Sequence, residues 1–224
     1  MGCRLQGVDM SHHQSLATFR KELKNPDTDF IILKATEGRS WVDNTFNTRA
    51  KEVLNSPKLL GAYHFARPEN NSPDVEAYNF CNTVLPFRDN CLLFLDWEDK
   101  ALTWKDAGAR GEWIKSFMQQ VKTCLGQNMM LYCSEYYIGA YMETVLSVGG
   151  GLWVARWGGQ EPTMEYDLWQ YTNTPYDRNY ANMERKDWKV WGSCDELKET
   201  LDVVNGCDCH CGCSFCDSGE LKKE

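Results

Sequence analysis

Residues 91–98 read CLLFLDWE, an apolar run of five residues that passes directly into a pair of acids, Asp96 and Glu98. A run with so little polar interruption is typical of a strand that is buried on both faces, as in a parallel sheet. Residues i and i+2 of a strand point to the same face and lie about 6.6 Å apart along the backbone. The stretch therefore predicts a core strand that carries two carboxylates on one face at its carboxyl end.

Similar apolar runs alternate with helical patterns along the chain. They predict strands at residues 5–10, 30–35, 60–65, 129–133, 152–157 and 168–171, and helices at residues 16–23, 45–54, 73–85, 104–124 and 136–145. Repeated strand–helix units of this spacing favour an α/β fold with a parallel sheet. Little helical pattern separates the last two strands. We therefore expect an irregular (β/α) barrel of the TIM-barrel type, in which the alternation breaks down in the last strands.

The composition changes near the carboxyl end of the 224-residue chain. After about residue 191 it shifts to charged residues, Gly and Cys. A chain of this length suits one large domain with a small appendage. We predict a barrel domain at residues 1–190 and a short Cys-rich tail at residues 191–224.

Charge and aromatic content narrow the range of partners. The formal net charge is −8 and the sequence pI is about 5.1, so the chain lacks the basic surface that non-specific nucleic-acid binding requires. The same charge gives little attraction to an anionic membrane surface. Nine Trp and ten Tyr favour a neutral sugar partner, because the C–H faces of sugar rings stack on indole and phenol rings. We expect a monomer that binds neither nucleic acid nor membrane.

The first residues give an expectation about localisation. Residues 1–6, MGCRLQ, lack the charged segment and apolar stretch of a signal peptide, and no apolar run approaches the ~20 residues of a membrane helix. The cysteines outside the tail are scattered, which favours buried thiols made in a reducing compartment. We therefore expect a protein that is made in the cytoplasm without a signal peptide.

The acids at the strand ends are the candidates for chemistry. Two carboxylates held at a buried barrel mouth repel each other, so one of Asp96 and Glu98 should keep its proton to higher pH. Glycoside hydrolysis requires that division, with one carboxylic acid and one carboxylate. The alternative is a pair of surface acids, and their place at the end of a core strand counts against it. Asp9, at the end of the first strand, can add a third carboxylate or form a turn.

Six motifs then carry a family resemblance. In order, they are residues 7–14 (GVDMSHHQ), 30–38 (FIILKATEG), 61–68 (GAYHFARP), 95–98 (LDWE), 152–157 (LWVARW) and 168–172 (LWQYT). With these motifs the sequence resembles the glycoside hydrolase family 25 lysozymes, the Chalaropsis-type N-acetylmuramidases, over about residues 4–183. The resemblance implies an irregular barrel and no cofactor for catalysis. It also implies hydrolysis of the β-1,4 bond between N-acetylmuramic acid and N-acetylglucosamine in bacterial peptidoglycan.

The same resemblance implies roles for individual residues. Glu98 would be the general acid/base, and Asp96 either the nucleophile or the group that orients a substrate acetamido nucleophile. Asp9 would be the supporting acid on the first strand, and Asp177, in the sequence Asp-Arg-Asn, matches the late Asp-x-Asn motif of the family. The positions that match the substrate groove are Tyr63, Tyr132, Trp153, Glu37, Lys34, Arg67 and Gln170.

The tail is dense in soft metal ligands. Its cysteines are Cys207, Cys209, Cys211, Cys213 and Cys216, with His210 among them. Alternate residues of an extended chain share one face, so four of these sulfurs can bind a structural zinc ion. The spacing matches no standard zinc module. Disulfides formed after release, or a flexible thiol-rich tail, are the alternatives.

Three functions follow from these features. The first is an active muramidase of the phage-endolysin type, made in a host cytoplasm and acting on the cell wall after release. The second is a catalytically inactive wall-binding module on the same barrel, and the third is a glycosidase on another N-acetylated polymer such as chitin. The intact acid pair favours the first over the second, and the motifs favour peptidoglycan over chitin.

Overall fold

The computed structural model describes residues 4–191. The strands are β1 (Leu5–Met10), β2 (Phe30–Glu37), β3 (Trp41–Val42), β4 (Leu59–Phe65), β5 (Cys91–Asp96), β6 (Met129–Ser134), β7 (Gly151–Ala155), β8 (Leu168–Thr172) and β9 (Arg178–Ala181). The α-helices are α1 (Leu16–Lys24), α2 (Phe46–Leu54), α3 (Pro73–Val84), α4 (Ala107–Leu125), α5 (Glu135–Ile138), α6 (Met142–Ser147) and α7 (Arg185–Val190). Two 3₁₀ helices at Leu85–Asn90 and Asp99–Leu102 flank β5.

Eight of these strands close into a barrel. Their order is β1-β9-β8-β7-β6-β5-β4-β2, and β1 pairs with β2 to complete the ring. β9 is antiparallel to both of its neighbours, whereas the other barrel pairs are parallel. The predicted irregular barrel is thus confirmed, and the alternation does break down late, because β7, β8 and β9 follow one another without a helix between them. β3 lies outside the ring and forms a hairpin with β2.

Alternate residues of the strands fill the barrel interior. The interior cluster includes Phe30 and Ile32 of β2 and Leu92 and Phe94 of β5. The residues between them face outward and pack against the surrounding helices. The near-continuous apolar runs of the sequence therefore reflect strands that are covered on both faces.

Small residues make room for these large interior rings. A Cβ atom on Gly7 would lie 2.3 Å from the Phe30 ring, and one on Gly61 would lie 2.9 Å from both Ile32 and Phe94. Trp188 of α7 packs against the same cluster, with its ring 4.6 Å from that of Phe30. Trp188 is therefore part of the barrel core.

Several predicted boundaries were wrong. The helix expected at residues 136–145 is two short helices, α5 and α6, separated by a turn at Gly139, a residue of low helix propensity. The long helix starts at Ala107, because the Asp106 side chain caps it by accepting a hydrogen bond from the backbone N–H of Ala109. β7 ends at Ala155, two residues earlier than expected. The sequence patterns did not indicate β3, β9 or α7.

None of the helices between residues 4 and 191 has the length and apolar character needed to cross a membrane.

Candidate active site

Inward-facing residues at the carboxyl ends of the barrel strands line a cleft of about 370 Å³. Several of them continue an interior row, as Asp9 continues Gly7 on β1 and Asp96 continues Phe94 on β5. The cleft contains all four acids that the sequence suggests for catalysis, together with most of the predicted groove residues. Its predicted lining residues are Asp9, Lys34, Tyr63, Asp96, Glu98, Tyr132, Trp153, Gln170 and Asp177.

The acid pair sits where β5 ends. Asp96 is the last residue of the strand, and Glu98 lies two residues beyond it in extended backbone, with φ −146° and ψ −171°. Trp97 between them is fully buried, and its ring lies 5.4 Å from that of Trp113. Its backbone N–H donates to the carbonyl of Tyr132 at 2.9 Å. Both carboxylates line the cleft, as the i, i+2 spacing predicts.

Burial dominates the electrostatics of this pair. Asp96 is buried, and its Oδ1 has no hydrogen-bond partner among the described residues. Burial raises the pKa of Asp96 well above its ordinary value, and the charge of Glu98 raises it further. Burial also raises the pKa of Glu98, with Asp177 adding to the shift and Lys34 opposing it. The site therefore favours the protonated forms of carboxyl groups that would be ionised in water at neutral pH.

Asp9 is the third acid, and two side-chain amides hold it. Its Oδ2 accepts hydrogen bonds from Asn179 Nδ2 at 2.8 Å and from Gln170 Nε2 at 3.1 Å. Burial raises the pKa of Asp9 to about 8, and the charge of Asp177 contributes to the same shift. The two amide hydrogen bonds favour the ionised form but do not overcome the cost of burial.

Aromatic donors fix the direction of these amides. Trp153 Nε1 donates to Asn179 Oδ1 at 2.9 Å, and Tyr132 OH donates to Gln170 Oε1 at 2.9 Å. Trp157 Nε1 also donates to Gln170 Oε1, at 3.0 Å. Because an indole N–H is only a donor, each amide must present its oxygen to the ring and its NH₂ group to Asp9.

Asp177 is positioned through its two neighbours. It directly precedes β9, and burial raises its pKa. On either side, Tyr176 OH and Arg178 Nη2 both donate to Oε1 of Glu22, at 2.5 Å and 3.2 Å. Glu22 on α1 is completely buried. Successive side chains of an extended segment point to opposite faces, so Tyr176 and Arg178 face Glu22 while Asp177 faces the cleft.

An ion-pair chain lies beside the acid pair. Lys34 Nζ lies 2.6 Å from Glu37 Oε2, and Arg67 Nη2 lies 2.7 Å from Glu37 Oε1. Arg67 Nη1 continues the chain to Asp99 Oδ2 at 2.9 Å. Only Lys34 of this chain lines the cleft. The structure thus places Glu37 and Arg67 outside the lining set, where they hold Lys34 and Asp99, and their contact with substrate stays a prediction.

A second polar cluster resembles a catalytic triad but is closed to substrate. Thr36 Oγ1 lies 2.7 Å from His64 Nδ1, and His64 Nε2 lies 2.8 Å from Glu76 Oε2. All three residues are completely buried, and burial lowers the pKa of His64. Glu76 accepts two hydrogen bonds from the backbone N–H of Arg67, so the cluster anchors the ion-pair chain.

Several functional candidates were missed as individual residues. Asn179 donates one of the two amide hydrogen bonds to Asp9. The only feature of the sequence that could have indicated this role is its place in the Asp-Arg-Asn sequence. Trp157 was not among the predicted groove residues, although it belongs to a quoted motif. The further lining residues are Met10, Ser11, His13, Gln14, Phe65 and Asn173. Most of them belong to the first or third motif, where no pattern separated groove residues from core residues.

Within residues 4–191 there is no cluster of three or more His, Cys, Asp or Glu side chains that could hold a metal ion. The predicted zinc ligands Cys207, Cys209, Cys211, Cys213 and Cys216 lie outside the described residues. The zinc site therefore stays a prediction.

Sequence comparisons are consistent with this site. A model of the glycosyl hydrolases family 25 matches residues 8–180. Lysozyme M1 of Streptomyces globisporus is 28% identical over 188 residues, which cover 76% of this chain and 62% of that protein. The N,O-diacetylmuramidase of Arthroderma benhamiae is 27% identical over 183 residues, covering 76% of this chain and 77% of that protein. The chain thus spans less than two thirds of the length of lysozyme M1.

The barrel also has a close structural counterpart. The crystal structure of a bacterial lysozyme from Streptomyces coelicolor matches it with a TM-score of 0.71 at 23% sequence identity. The match covers 85% of this chain and 98% of that one. The two proteins therefore share a fold.

Proposed function

The chain belongs to family 25 of the glycosyl hydrolases, and from this premise we propose that it is a muramidase. Its substrate is bacterial peptidoglycan, and it hydrolyses the β-1,4 bond between N-acetylmuramic acid and N-acetylglucosamine. One observation carries the proposal: four carboxylates, of Asp9, Asp96, Glu98 and Asp177, share a single aromatic-lined cleft at the carboxyl end of a family 25 barrel. Glycoside hydrolysis requires one carboxylic acid and one carboxylate beside the scissile bond, and this cleft supplies such a pair in Glu98 and Asp96.

Glu98 is assigned as the general acid/base. It is the more exposed member of the acid pair and lines the cleft, so its carboxyl group is accessible to a glycosidic oxygen bound there. Its raised pKa keeps the proton that the leaving oxygen must receive. After bond cleavage, the resulting carboxylate can take a proton from the attacking water.

Asp96 is the second carboxylate of the reaction. It acts either as the nucleophile or as the group that orients the substrate acetamido group and stabilises the charge that develops on it. Both roles need the ionised form, which burial opposes. The charge of Lys34 favours that form and lowers the pKa of Asp96 relative to burial alone. Lys34 therefore favours ionisation of Asp96 against burial and the charge of Glu98.

Product analysis tests the proposed activity. Purified peptidoglycan is incubated with the protein, reduced with borohydride and analysed by mass spectrometry for the new reducing end. We expect muramitol. Glucosaminitol would show a glucosaminidase instead, and the absence of any product would support an inactive wall-binding module.

A single substitution tests the role of Glu98. Glu98→Gln keeps the shape of the side chain and removes the proton donor, so turnover should fall by about 10²–10⁴-fold while glycan binding persists. Glu143→Gln on α6, an exposed position, is the matched control. Turnover by Glu98→Gln within a few-fold of the wild type would refute the assignment.

We also propose that the protein is made in the cytoplasm, as a phage lysin would be, and acts on the wall as a monomer after release. The buried free thiols Cys81, Cys91 and Cys133 support synthesis in a reducing compartment. Immunodetection in fractions of the producing cells tests this, with the protein expected in the cytoplasm before lysis. Light scattering tests the monomer.

For the tail, we propose that four of the five cysteines between residues 207 and 216 bind a structural zinc ion. The density of soft ligands in ten residues supports this. Metal analysis of protein purified under reducing conditions should find one zinc ion per chain. No bound zinc would leave disulfides or free thiols as the state of the tail.

A further inference from the structure

An exposed tryptophan stands beside the cleft on a small hairpin. β2 ends at Glu37, turns through Gly38 in the left-handed region (φ 54°), and returns as the two-residue strand β3. Trp41 in β3 is 40% exposed. The hairpin projects from the end of the barrel that carries the cleft, because β2 runs toward that end. A large apolar ring is therefore displayed next to the catalytic groups.

Hydrogen bonds fix the backbone of this hairpin, so the exposed position of Trp41 is defined by the fold. Asn79 of α3 donates hydrogen bonds from Nδ2 to the carbonyl of Gly38 at 2.9 Å and to that of Trp41 at 3.1 Å. The backbone N–H of Asp43 donates to the carbonyl of Ala35 at 2.9 Å and closes the base of the hairpin. The Trp41 ring thus has a fixed backbone beneath it.

A row of rings joins Trp41 to the cleft. His13 lines the cleft, and its ring centroid lies 4.0 Å from that of His12. The His12 ring lies 5.2 Å from that of Trp41. His12 is itself held, because Asp43 Oδ2 lies 2.8 Å from its backbone nitrogen and 2.9 Å from its Nδ1. We call Trp41, His12 and His13 the aromatic row.

Lys34 provides a second connection between Trp41 and the cleft. Its Nζ lies 5.1 Å from the centroid of the Trp41 ring and 4.4 Å from that of Phe65. Lys34 and Phe65 both line the cleft. The surface is therefore continuous from the catalytic carboxylates, past the Lys34 side chain, to the exposed indole. A polymer that passes through the open cleft toward β3 would meet the aromatic row next.

We propose that the aromatic row is a further sugar-binding subsite, which holds one ring of the glycan strand beyond the rings that occupy the catalytic cleft. The reason is chemical. A pyranose ring offers an apolar C–H face that stacks on an indole. The charge of Lys34 beside the row is already paired with Glu37 at 2.6 Å, which favours an uncharged occupant over the acidic stem peptides of the wall. The inference rests on the muramidase function proposed above and specifies how that site engages a long strand.

Binding to glycans of two lengths tests the subsite. The Glu98→Gln protein is titrated calorimetrically with long glycan strands freed of stem peptides, and with a tetrasaccharide of the same repeat. Adding Trp41→Ala should weaken binding of the long strands by about 3- to 10-fold, the range expected for one aromatic stacking contact. The proposal requires that binding of the tetrasaccharide change by less than about twofold, because the aromatic row lies beyond the rings that the cleft holds.

Matched variants separate stacking from other effects. Trp41→Phe keeps a flat ring and should retain most of the affinity, whereas Trp41→Leu keeps apolar bulk without a ring and should behave like Trp41→Ala. Tyr136→Ala is the control, since Tyr136 is 85% exposed on α5 and is not among the lining residues. It should leave both affinities unchanged. Thermal melts identify any variant that is unfolded, and the Phe and Leu variants still decide the question in that case.

Three results would overturn the proposal. Equal loss for both glycan lengths would mean that Trp41 acts through Lys34 inside the cleft. No loss for either would mean that the row does not bind glycan. A third titration uses long strands that still carry their stem peptides, and a loss of affinity with these strands alone would make the row a peptide-binding surface. Failure of the muramidase proposal is distinguishable, because the wild type would then release no product from peptidoglycan while the binding experiment still reports on Trp41.

Discussion

Asp9→Asn is expected to stabilise the protein at neutral and basic pH while reducing its activity. The pKa of Asp9 is about 8 in the folded protein against an ordinary value of 3.8. Between those values the folded state holds a proton that the unfolded chain has released. The stabilisation from this group is therefore fully present below about pH 4 and is lost as the pH rises through about 8.

The magnitude follows from proton linkage. Each pH unit between 5 and 8 should lower the free energy of unfolding by about 1.4 kcal/mol through Asp9, and the whole interval by about 4 kcal/mol. For a domain of this size, that corresponds to a fall in Tm of about 8–16 °C. The asparagine that replaces Asp9 does not titrate, so this part of the slope should disappear. Its side-chain oxygen can still accept the hydrogen bonds from Asn179 and Gln170.

Thermal melts of the wild type and of Asp9→Asn across pH 5 to 8.5 measure the effect. Asp27→Asn, at an exposed acid, is the control and should follow the wild type. The other cleft acids also titrate, so the relevant quantity is the difference in slope between the two proteins. If Asp9→Asn showed the same loss of Tm with pH as the wild type, the reasoning about burial of Asp9 would be refuted.

Three further substitutions test the groups around the acids. Glu22→Gln should lower the free energy of unfolding, measured by urea denaturation, by about 3 kcal/mol, because the buried carboxylate that accepts from Thr28, Tyr176 and Arg178 is replaced by an amide whose NH₂ group cannot accept; a loss below about 1 kcal/mol would contradict this. Trp153→Phe removes the donor that orients Asn179 and should reduce kcat/KM about tenfold, mainly through kcat, whereas a change within twofold would speak against the network. Arg67→Met removes a charge that lowers the pKa of Glu98, so the basic limb of the pH profile of kcat/KM should move to higher pH, and an unmoved limb would exclude that coupling.

The parts of the fold that could be predicted are those whose pattern is local. β5 is predictable because five consecutive apolar residues are typical of a strand that is buried on both faces. β9, with the sequence RNYA, has no apolar alternation of its own. It becomes a strand because β8 and β1 offer edges on both sides of it, and closure of the ring joins residues far apart in sequence. Long-range pairing of this kind leaves no short-range signal.

The site residues also divide into those that a local pattern predicts and those that depend on distant parts of the chain. Asp96 and Glu98 could be found because their spacing and position relative to β5 are local properties. The two hydrogen bonds to Asp9 could not be predicted, because their donors Gln170 and Asn179 lie 161 and 170 residues away in the sequence. The direction of those amides depends in turn on rings from other strands. Glu37 and Arg67 come from the family resemblance alone; their ion pairs place them behind Lys34, outside the residues that line the cleft, and their contact with substrate stays a prediction.

The interior of the barrel explains why its acids have such high pKa values. On β1 the inward row is Leu5, Gly7 and Asp9, and on β5 it is Leu92, Phe94 and Asp96. In both rows the carboxylate follows interior residues that carry no polar side chain, which we call the apolar floor. Water therefore reaches the carboxylate from the cleft side. The alternation that packs the barrel therefore also desolvates the acids, and desolvation is the largest cause of the raised pKa of both Asp9 and Asp96.

This arrangement implies that activity and stability oppose each other at the cleft. A more polar floor would lower the pKa values of the acids and relieve the cost of burying them, but it would also weaken their hold on the protons that glycoside hydrolysis transfers. The groups that restrain the shifts are specific, with Lys34 acting on Asp96 and two oriented amides acting on Asp9. Substitutions of these restraining groups should therefore move the pH dependence of activity, whereas substitutions in the apolar floor should change activity and stability together.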